Sequence, residues 1–205
     1  MLLGWDIVRG DLRARIVEVE AYRQDEPACH AFGKSKMKNM ALYARPGMSY
    51  VYLAYGNHWM LNVVAHPEGQ AAAALIRAAR PLTGQAEMFA RRPKAIREED
   101  LLSGPGKLCA AFGISSRQNF VDLLDPRSEL HLEPGAPVTK IVVGPRVGIA
   151  EGKAHEYPWR FMDAAEISWI SSPRPRELLR HPPAPGGSAR GRAIENGARM
   201  PQHSE

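Results

Sequence analysis

Two glutamates and a tyrosine alternate within one short stretch, which reads R-I-V-E-V-E-A-Y over residues 15–22. Its β-branched residues and strict alternation predict a strand, because successive side chains of a strand point to opposite faces. Glu18, Glu20 and Tyr22 then share one face. Glutamate is depleted in strands, so the pair could supply a general base beside a surface for stacking. A surface strand with one solvated face has the same alternation, and the stretch alone leaves both interpretations open.

Aromatic residues form a second candidate group in M-S-Y-V-Y-L-A-Y, which is also predicted to be a strand. Tyr50 and Tyr52 fall on one of its faces, and Tyr55 stands at its end beside a glycine. Either a core aromatic stripe or a stacking platform fits this pattern. After a predicted hairpin, Asn62 interrupts the apolar run W-M-L-N-V-V, and a buried amide needs specific hydrogen-bond partners.

Charged and nucleophilic side chains complete the candidate chemistry. Arg77 lies inside the run A-A-A-A-L-I-R-A-A, where an interior charge needs a partner or a function. His30 follows Cys29 in a polar loop, but adjacency in sequence does not supply the spatial pairing that a Cys-His nucleophile requires. The next residues include a basic cluster, which is either an ordinary solvated surface or a set of phosphate contacts. This cluster consists of Lys34, Lys36 and Lys38.

The elements that must position these residues are mainly strands. A short strand over Leu2 to Val8 and a turn at R-G-D precede the glutamate strand. Helical patterns cover Leu82 to Arg91 and the segment from Gly104 through Phe112. Further strands are predicted at Leu130 to Leu132, Val138 to Val143 and W-R-F around residue 160. A β-rich chain with a few peripheral helices belongs to the α+β class.

Size and composition are typical of one soluble globular domain. The chain has 205 residues, of which 44% are hydrophobic, and its formal net charge of +5 allows an acidic partner such as nucleic acid. Two distant cysteines indicate neither a disulfide framework nor a zinc ribbon. No signal peptide or membrane span is recognisable, so we expect a cytoplasmic protein. Residues 1–179 form the predicted domain, and the Pro, Gly and Arg enrichment of residues 180–205 predicts a flexible tail.

Several motifs occur in an order that resembles a known family. They are R-I-V-E-V-E-A-Y, C-H-A-F-G, P-G-x-x-Y-V-Y-L-x-Y-G, L-N-V-V, L-I-R-A-x-x-P and G-P-G-K-L-C. In this order they closely resemble the alkyladenine DNA glycosylases, also called methylpurine or 3-methyladenine DNA glycosylases. The resemblance extends from about residue 2 to about Ile170. It also favours a strand for the alanine-rich run, although alanine is the best helix former, and a curved, mostly antiparallel sheet.

The resemblance implies a monofunctional enzyme that flips alkylated or deaminated purines out of duplex DNA and hydrolyses the N-glycosidic bond. Such an enzyme needs no metal or cofactor, acts as a monomer on double-stranded DNA of the nucleoid, and leaves an abasic site for base excision repair. By position, Glu20 matches the general base and Tyr55 the residue that intercalates into DNA. The positions that match the base pocket are Tyr22, His30, Tyr52, Asn62, which obstructs the amino group of guanine, and Arg77.

Departures from the family pattern concern substrate range and DNA affinity. An N-terminal helical segment is expected to be short or missing. In addition, K-S-K-M-K-N replaces an arginine-containing loop of the family, so the charge is kept but the bidentate geometry of arginine is lost. Glu18 either tunes Glu20 by charge repulsion or is a salt-bridged structural residue. The main alternative function is a non-catalytic reader of modified or extruded bases in DNA or RNA, and a further one is a hydrolase of small nucleosides.

Overall fold

One curved antiparallel sheet with helices on one side forms the fold, in a computed structural model that describes residues 1–33 and 36–175, without the side chains of residues 36–38. The strands are β1 (Asp6–Arg9), β2 (Leu12–Arg23), β3 (Ser49–Ala54), β4 (His58–Val64), β5 (Ala72–Thr83), β6 (His131–Glu133), β7 (Ile141–Gly144) and β8 (Arg160–Asp163). The α-helices are α1 (Gln85–Arg91), α2 (Glu98–Leu101) and α3 (Pro105–Phe112), and short 3₁₀ segments cover Lys36–Tyr43, Ser116–Gln118 and Ala164–Glu166. The predicted α+β class and mostly antiparallel sheet are confirmed.

The glutamate strand β2 is the centre of the sheet. The main path of strands runs β3-β4-β5-β2-β1-β6, and β8 pairs with both β2 and β7. Strand β2 therefore pairs with β1, β5 and β8. Both edges of this strand are therefore paired, and residues from both of its faces pack in apolar clusters, which leaves little room for a solvated side.

Two bulges interrupt the strict alternation that the sequence predicts for β2. The register with β5 shifts on both sides of Glu18, so Val17 has no partner on β5 and Arg77 has none on β2. Ile16 and Val19 consequently belong to the main core, whereas Val17 packs in a separate cluster with Ala78 and Met162. Bulges change the direction of side chains. These two lie at Glu18 and Arg77, the charged residues that must meet. The prediction that the faces of β2 alternate regularly is wrong here.

Both glutamates of β2 are fully buried, so the surface-strand interpretation is wrong. Glu18 and Glu20 each have 0% of their surface exposed. A buried carboxylate is costly unless it is paired and hydrogen-bonded, so these side chains must have partners in the interior. The main core lies beside them, between the sheet and the helices, and includes Ile76 of β5, Met88 of α1 and Phe112 of α3.

The alanine-rich run forms the long central strand β5 rather than a helix. Ala73 and Ala78 pair with β2 and are almost fully buried. Their small side chains allow the chain to pack closely here. The helix predicted from Leu82 begins only at Gln85, since β5 continues to Thr83 and the residue between them has a left-handed φ. No helix in the described part of the chain is long and apolar enough to cross a membrane.

The first strand begins later than the apolar pattern predicts. It was expected from Leu2, but regular pairing starts only at Asp6. Gly4 lies in this irregular segment with φ +82°, and a Cβ atom there would come within 2.3 Å of the Ala136 carbonyl oxygen. A glycine is therefore required at this close approach. The remaining predicted strands differ from the observed ones by at most four residues at either end.

Candidate active site

A cavity of about 520 Å³ opens between the β3–β4 hairpin, β5 and two loops. It brings together the residues that the sequence analysis placed in a pocket, which are Tyr22, His30, Tyr52, Asn62 and Arg77. Tyr55, which the sequence analysis matched to the intercalating residue, also lies at this cavity. Three lining residues that sequence reasoning missed, Val147, Gly148 and Ile149, come from the loop after β7. Their only signal was a polar segment without clear periodicity, which says nothing about where a loop folds back.

Aromatic rings form one wall of the cavity. The ring centroids of His30 and Tyr52 are 4.3 Å apart in an edge-to-face arrangement, and Tyr50 stacks on Tyr52 at 5.3 Å. The Tyr50 hydroxyl lies 2.9 Å from Nδ1 of His30. Burial, with the nearby Glu20 charge, raises the pKa of Tyr52 to about 12. These phenols therefore stay neutral at physiological pH and present electron-rich faces to a flat ligand.

Glu20 is not among the residues that line the cavity, but three of the lining residues donate hydrogen bonds to its carboxylate. Its Oε1 accepts a hydrogen bond from the backbone N–H of Val147 at 2.7 Å. Its Oε2 accepts hydrogen bonds from the Tyr22 hydroxyl at 2.9 Å and from Nη1 of Arg77 at 3.2 Å. Burial and the adjacent Glu20 charge raise the pKa of Tyr22, so this hydroxyl remains a donor. The carboxylate is fixed in orientation while Oε1, with one partner among the described residues, keeps a second acceptor direction.

Arg77 links the two buried glutamates. Its Nε donates to Oε1 of Glu18 at 3.1 Å, while Nη1 reaches Glu20. Glu18 also accepts hydrogen bonds from Nε of Arg160 at 2.6 Å and from the backbone N–H and hydroxyl of Ser171. Glu18 is thus the salt-bridged structural residue of the two options, and the guanidinium between the carboxylates offsets their repulsion. Sequence reasoning missed Arg160, although a charge inside the W-R-F strand is the same kind of signal as Arg77.

Tyr55 stands apart from the aromatic wall at the tip of the β3–β4 hairpin. It is 85% exposed and has a left-handed φ of +52°, and Gly56 follows with φ +74°. A positive φ is uncommon for a residue with a side chain, and two successive positive φ angles are those of a tight hairpin turn. The hairpin thus presents a ring to the outside of the cavity mouth. Asn62 on β4 is buried and donates to the Tyr50 carbonyl oxygen at 3.1 Å, so its amide has a partner as expected.

Some sequence predictions lie outside what the structure describes. Lys34 is not among the described residues, and the side chains of Lys36 and Lys38 are not described either. Within residues 1–33 and 36–175, no group of three or more His, Cys, Asp or Glu residues is arranged to hold a metal ion.

The cysteines show no sign of nucleophilic activation. Both thiols are free and buried. Burial raises the pKa of Cys29, and it raises the pKa of Cys109 to about 12. The ring nitrogen Nδ1 of His30 contacts the Tyr50 hydroxyl. The raised pKa values of the thiols do not support a Cys-His nucleophile.

We therefore expect both cysteines to resist alkylation in the folded protein. Only the thiolate reacts, and a raised pKa leaves little of it at pH 8. Iodoacetamide followed by mass spectrometry should label each cysteine at less than about a tenth of the rate seen in urea, where thiols are exposed and ionise normally. Rapid labelling of native Cys29 would show that its thiol is activated after all.

The aromatic wall offers a stacking surface for a flat ligand, and the adjacent Glu20 and Arg77 offer a fixed acceptor and a cation. The model of the methylpurine-DNA glycosylase family matches residues 1–167 of this chain. The chain is 42% identical over 176 residues to a putative 3-methyladenine DNA glycosylase of Rhodopseudomonas palustris, covering 85% of this chain and 82% of that protein. It is 39% identical over 175 residues to the DNA-3-methyladenine glycosylase of Arabidopsis thaliana, covering 84% of this chain and 68% of that protein. The chain belongs to the methylpurine-DNA glycosylase family and is a DNA glycosylase by this membership.

Proposed function

We propose that the protein extrudes an alkylated or deaminated purine from duplex DNA and hydrolyses its N-glycosidic bond with a water activated by Glu20. The observation that carries the proposal is the position of Glu20 beneath the aromatic cavity, where Val147, Tyr22 and Arg77 fix its two oxygens. An enzyme that acts on a base must take it out of the stack, at a cost of a few kcal/mol, and hold it in a pocket.

The aromatic wall supports binding of damaged purines in preference to normal ones. Tyr22, His30 and Tyr52 surround the space into which a base would stack. Electron-rich rings attract a cationic alkylated base by roughly 0.5 to 2 kcal/mol each. Asn62 lines the same cavity with its amide tied to the backbone, which supports the proposal that it obstructs the amino group of normal guanine.

The second acceptor direction of Oε1 of Glu20 supports hydrolysis, because a water molecule can donate a hydrogen bond to it. The oxygen of water attacks C1′, its proton passes to Glu20, and the electrons of the C1′–N bond leave with the purine. General base catalysis is typically worth about 10² to 10⁴ in rate, and the carboxylate also stabilises an oxocarbenium-like sugar. A cationic purine leaves as a neutral base, whereas hypoxanthine needs a proton. Because Glu20 has no exposed surface, water reaches it only when the neighbouring side chains separate around the bound nucleotide.

Single-turnover excision tests the proposed reaction. Duplexes carrying 3-methyladenine, hypoxanthine or ethenoadenine would be incubated with excess protein, and abasic sites would be revealed by hot alkali. We expect release of at least one lesion, and a matched undamaged duplex is the control. Tight binding without release would favour a non-catalytic reader, and release only from free nucleosides would favour a nucleoside hydrolase.

We further propose that Tyr55 fills the gap that the extruded base leaves. A ring that is 85% exposed at a hairpin tip, beside the cavity mouth, is in the position such a wedge requires.

Replacing Tyr55 with alanine should weaken base extrusion without affecting the fold. Stacking of one base on a ring is worth about 1 to 3 kcal/mol, so we expect about 5- to 100-fold weaker binding to lesion-containing duplex. The measurement is a titration in which 2-aminopurine beside the lesion reports unstacking. Tyr55→Phe keeps the ring and should behave like the wild type, and Leu124→Ala removes another exposed apolar side chain as a control. Unchanged fluorescence with Tyr55→Ala would exclude the wedge role.

A further inference from the structure

Arg146 is a buried cation next to the cavity, and the proposed reaction does not use this side chain. Its guanidinium carbon lies 4.6 Å from the centroid of the Tyr22 ring and 5.3 Å from that of Trp159. The Arg146 side chain has 0% exposed surface. Tyr22 lines the cavity and Arg146 does not, so the guanidinium covers the side of the Tyr22 ring that is turned away from the cavity.

Glu26 neutralises this cation. Its two oxygens accept hydrogen bonds from Nη1 and Nη2 of Arg146 at 2.7 and 2.9 Å, which is the bidentate geometry of a strong charge-assisted pair. Glu26 is itself 2% exposed and accepts a further hydrogen bond from the backbone N–H of Ala28. The pair is therefore shielded from solvent, and the charge on Glu26 is the nearest compensation that Arg146 has.

The same guanidinium connects the segments that meet at the catalytic carboxylate. Nη1 of Arg146 donates to the Ala21 carbonyl oxygen of β2 at 2.9 Å. The next residue, Val147, donates its backbone N–H to Glu20. Arg146 thus holds the loop after β7 against the end of β2, and through that loop it positions one of the donors that fix Glu20.

We propose that the Glu26–Arg146 pair determines how strongly the site prefers cationic over neutral purines, because Glu26 cancels the charge behind the ring on which the base stacks. This inference rests on the proposed function. A cationic base attracted to the cavity side of Tyr22 meets a second cation on the far side of the same ring. With Glu26 present, the Glu26–Arg146 pair behind the ring has no net charge, so the attraction of the Tyr22 ring for a cation is retained.

Removing the charge of Glu26 should therefore penalise cationic substrates selectively. At an effective dielectric constant of about 20, typical for protein sites, an uncompensated charge on the opposite side of the Tyr22 ring repels a bound cation appreciably. A neutral base does not experience this repulsion. We expect the ratio of excision efficiency for 7-methylguanine to that for hypoxanthine to fall about tenfold in Glu26→Gln, equivalent to about 1.4 kcal/mol.

The experiment measures single-turnover excision of both lesions by the wild type, by Glu26→Gln and by the double variant Glu26→Gln/Arg146→Met. The double variant has no charge behind the ring, so the ratio should return towards the wild-type value even if both rates are lower. Equilibrium binding of the same two duplexes, measured with each variant combined with Glu20→Gln, gives a second readout that does not depend on turnover. Affinity for 7-methylguanine DNA should fall more than affinity for hypoxanthine DNA.

Asp6→Asn is the matched control for loss of a buried ion pair. Asp6 is 2% exposed and pairs with Arg13 and Arg15, and none of the three lines the cavity. It should leave the ratio unchanged. Equal losses for both lesions in Glu26→Gln, which leave the ratio unchanged, would reduce the pair to a structural role and overturn the inference. A ratio that falls in Glu26→Gln but does not recover in the double variant would overturn it as well. Failure of the wild type to release either lesion would instead contradict the proposed function, and the binding ratio would still test the charge effect.

Discussion

Replacing Glu20 with glutamine is expected to lower the single-turnover rate of excision by about 10² to 10⁴ while lesion-containing DNA is still bound. Glutamine has the same shape, and stacking in the aromatic cavity does not depend on the Glu20 charge. However, an amide cannot take a proton from water and does not stabilise a cationic sugar. The rate should therefore fall for every lesion, cationic or neutral, whereas the dissociation constant of DNA that carries the neutral lesion hypoxanthine should change little.

The glutamine also alters the hydrogen bonds beneath the cavity. Its amide oxygen can accept from Val147 or from the Arg77 side, but its amino group can only donate, so either Arg77 or Val147 is left facing a donor. Urea unfolding of the same preparation must therefore accompany the kinetics. Glu133→Gln, which removes the charge of a carboxylate that pairs with Arg13 at the protein surface, is the control and should retain full activity. Unreduced excision by a folded Glu20→Gln protein would exclude Glu20 as the base.

The sequence was informative about the site because local patterns carried its chemistry. Strict alternation located the strand of Glu20, and turn residues located the hairpin that carries Tyr55. An arginine and an asparagine inside apolar strands marked positions that needed partners, and the structure supplies partners for both. The family resemblance then decided between strand and helix for the alanine-rich run, which propensity alone would have assigned as a helix.

Long-range packing decided what the sequence could not. The two bulges on either side of Glu18 depend on how β2 and β5 fit together, and no local pattern marks them. Burial of both glutamates follows from the additional pairing of β2 with β8, about 140 residues later in the chain. The contribution of Val147 is a backbone N–H, which every residue except proline possesses. Residue type therefore gave no signal for it.

Replacing Glu18 with leucine is expected to destabilise the protein by about 3 to 5 kcal/mol, as is typical when one partner of a buried ion pair is removed. Glu18 accepts hydrogen bonds from Arg77, Arg160 and Ser171 with no exposed surface. Without it, Arg77 still has Glu20. Arg160, however, keeps only the carbonyl oxygens of Ser171 and Pro173 as acceptors among the described residues. A guanidinium that is buried without a countercharge is the origin of the loss, and urea unfolding monitored by circular dichroism measures it.

A second substitution separates the uncompensated charge from lost packing. The double variant Glu18→Leu/Arg160→Met removes both members of the pair, so it should regain a substantial part of the lost stability, because apolar replacement of a whole buried pair is often nearly neutral. Asp6→Asn should cost less than Glu18→Leu, since the side chains of Arg13 and Arg15 are 35% and 19% exposed and can be solvated. If the double variant were no more stable than Glu18→Leu, the loss would come from cavity and hydrogen-bond effects. The network would then stabilise the fold without requiring charge balance beneath the active site.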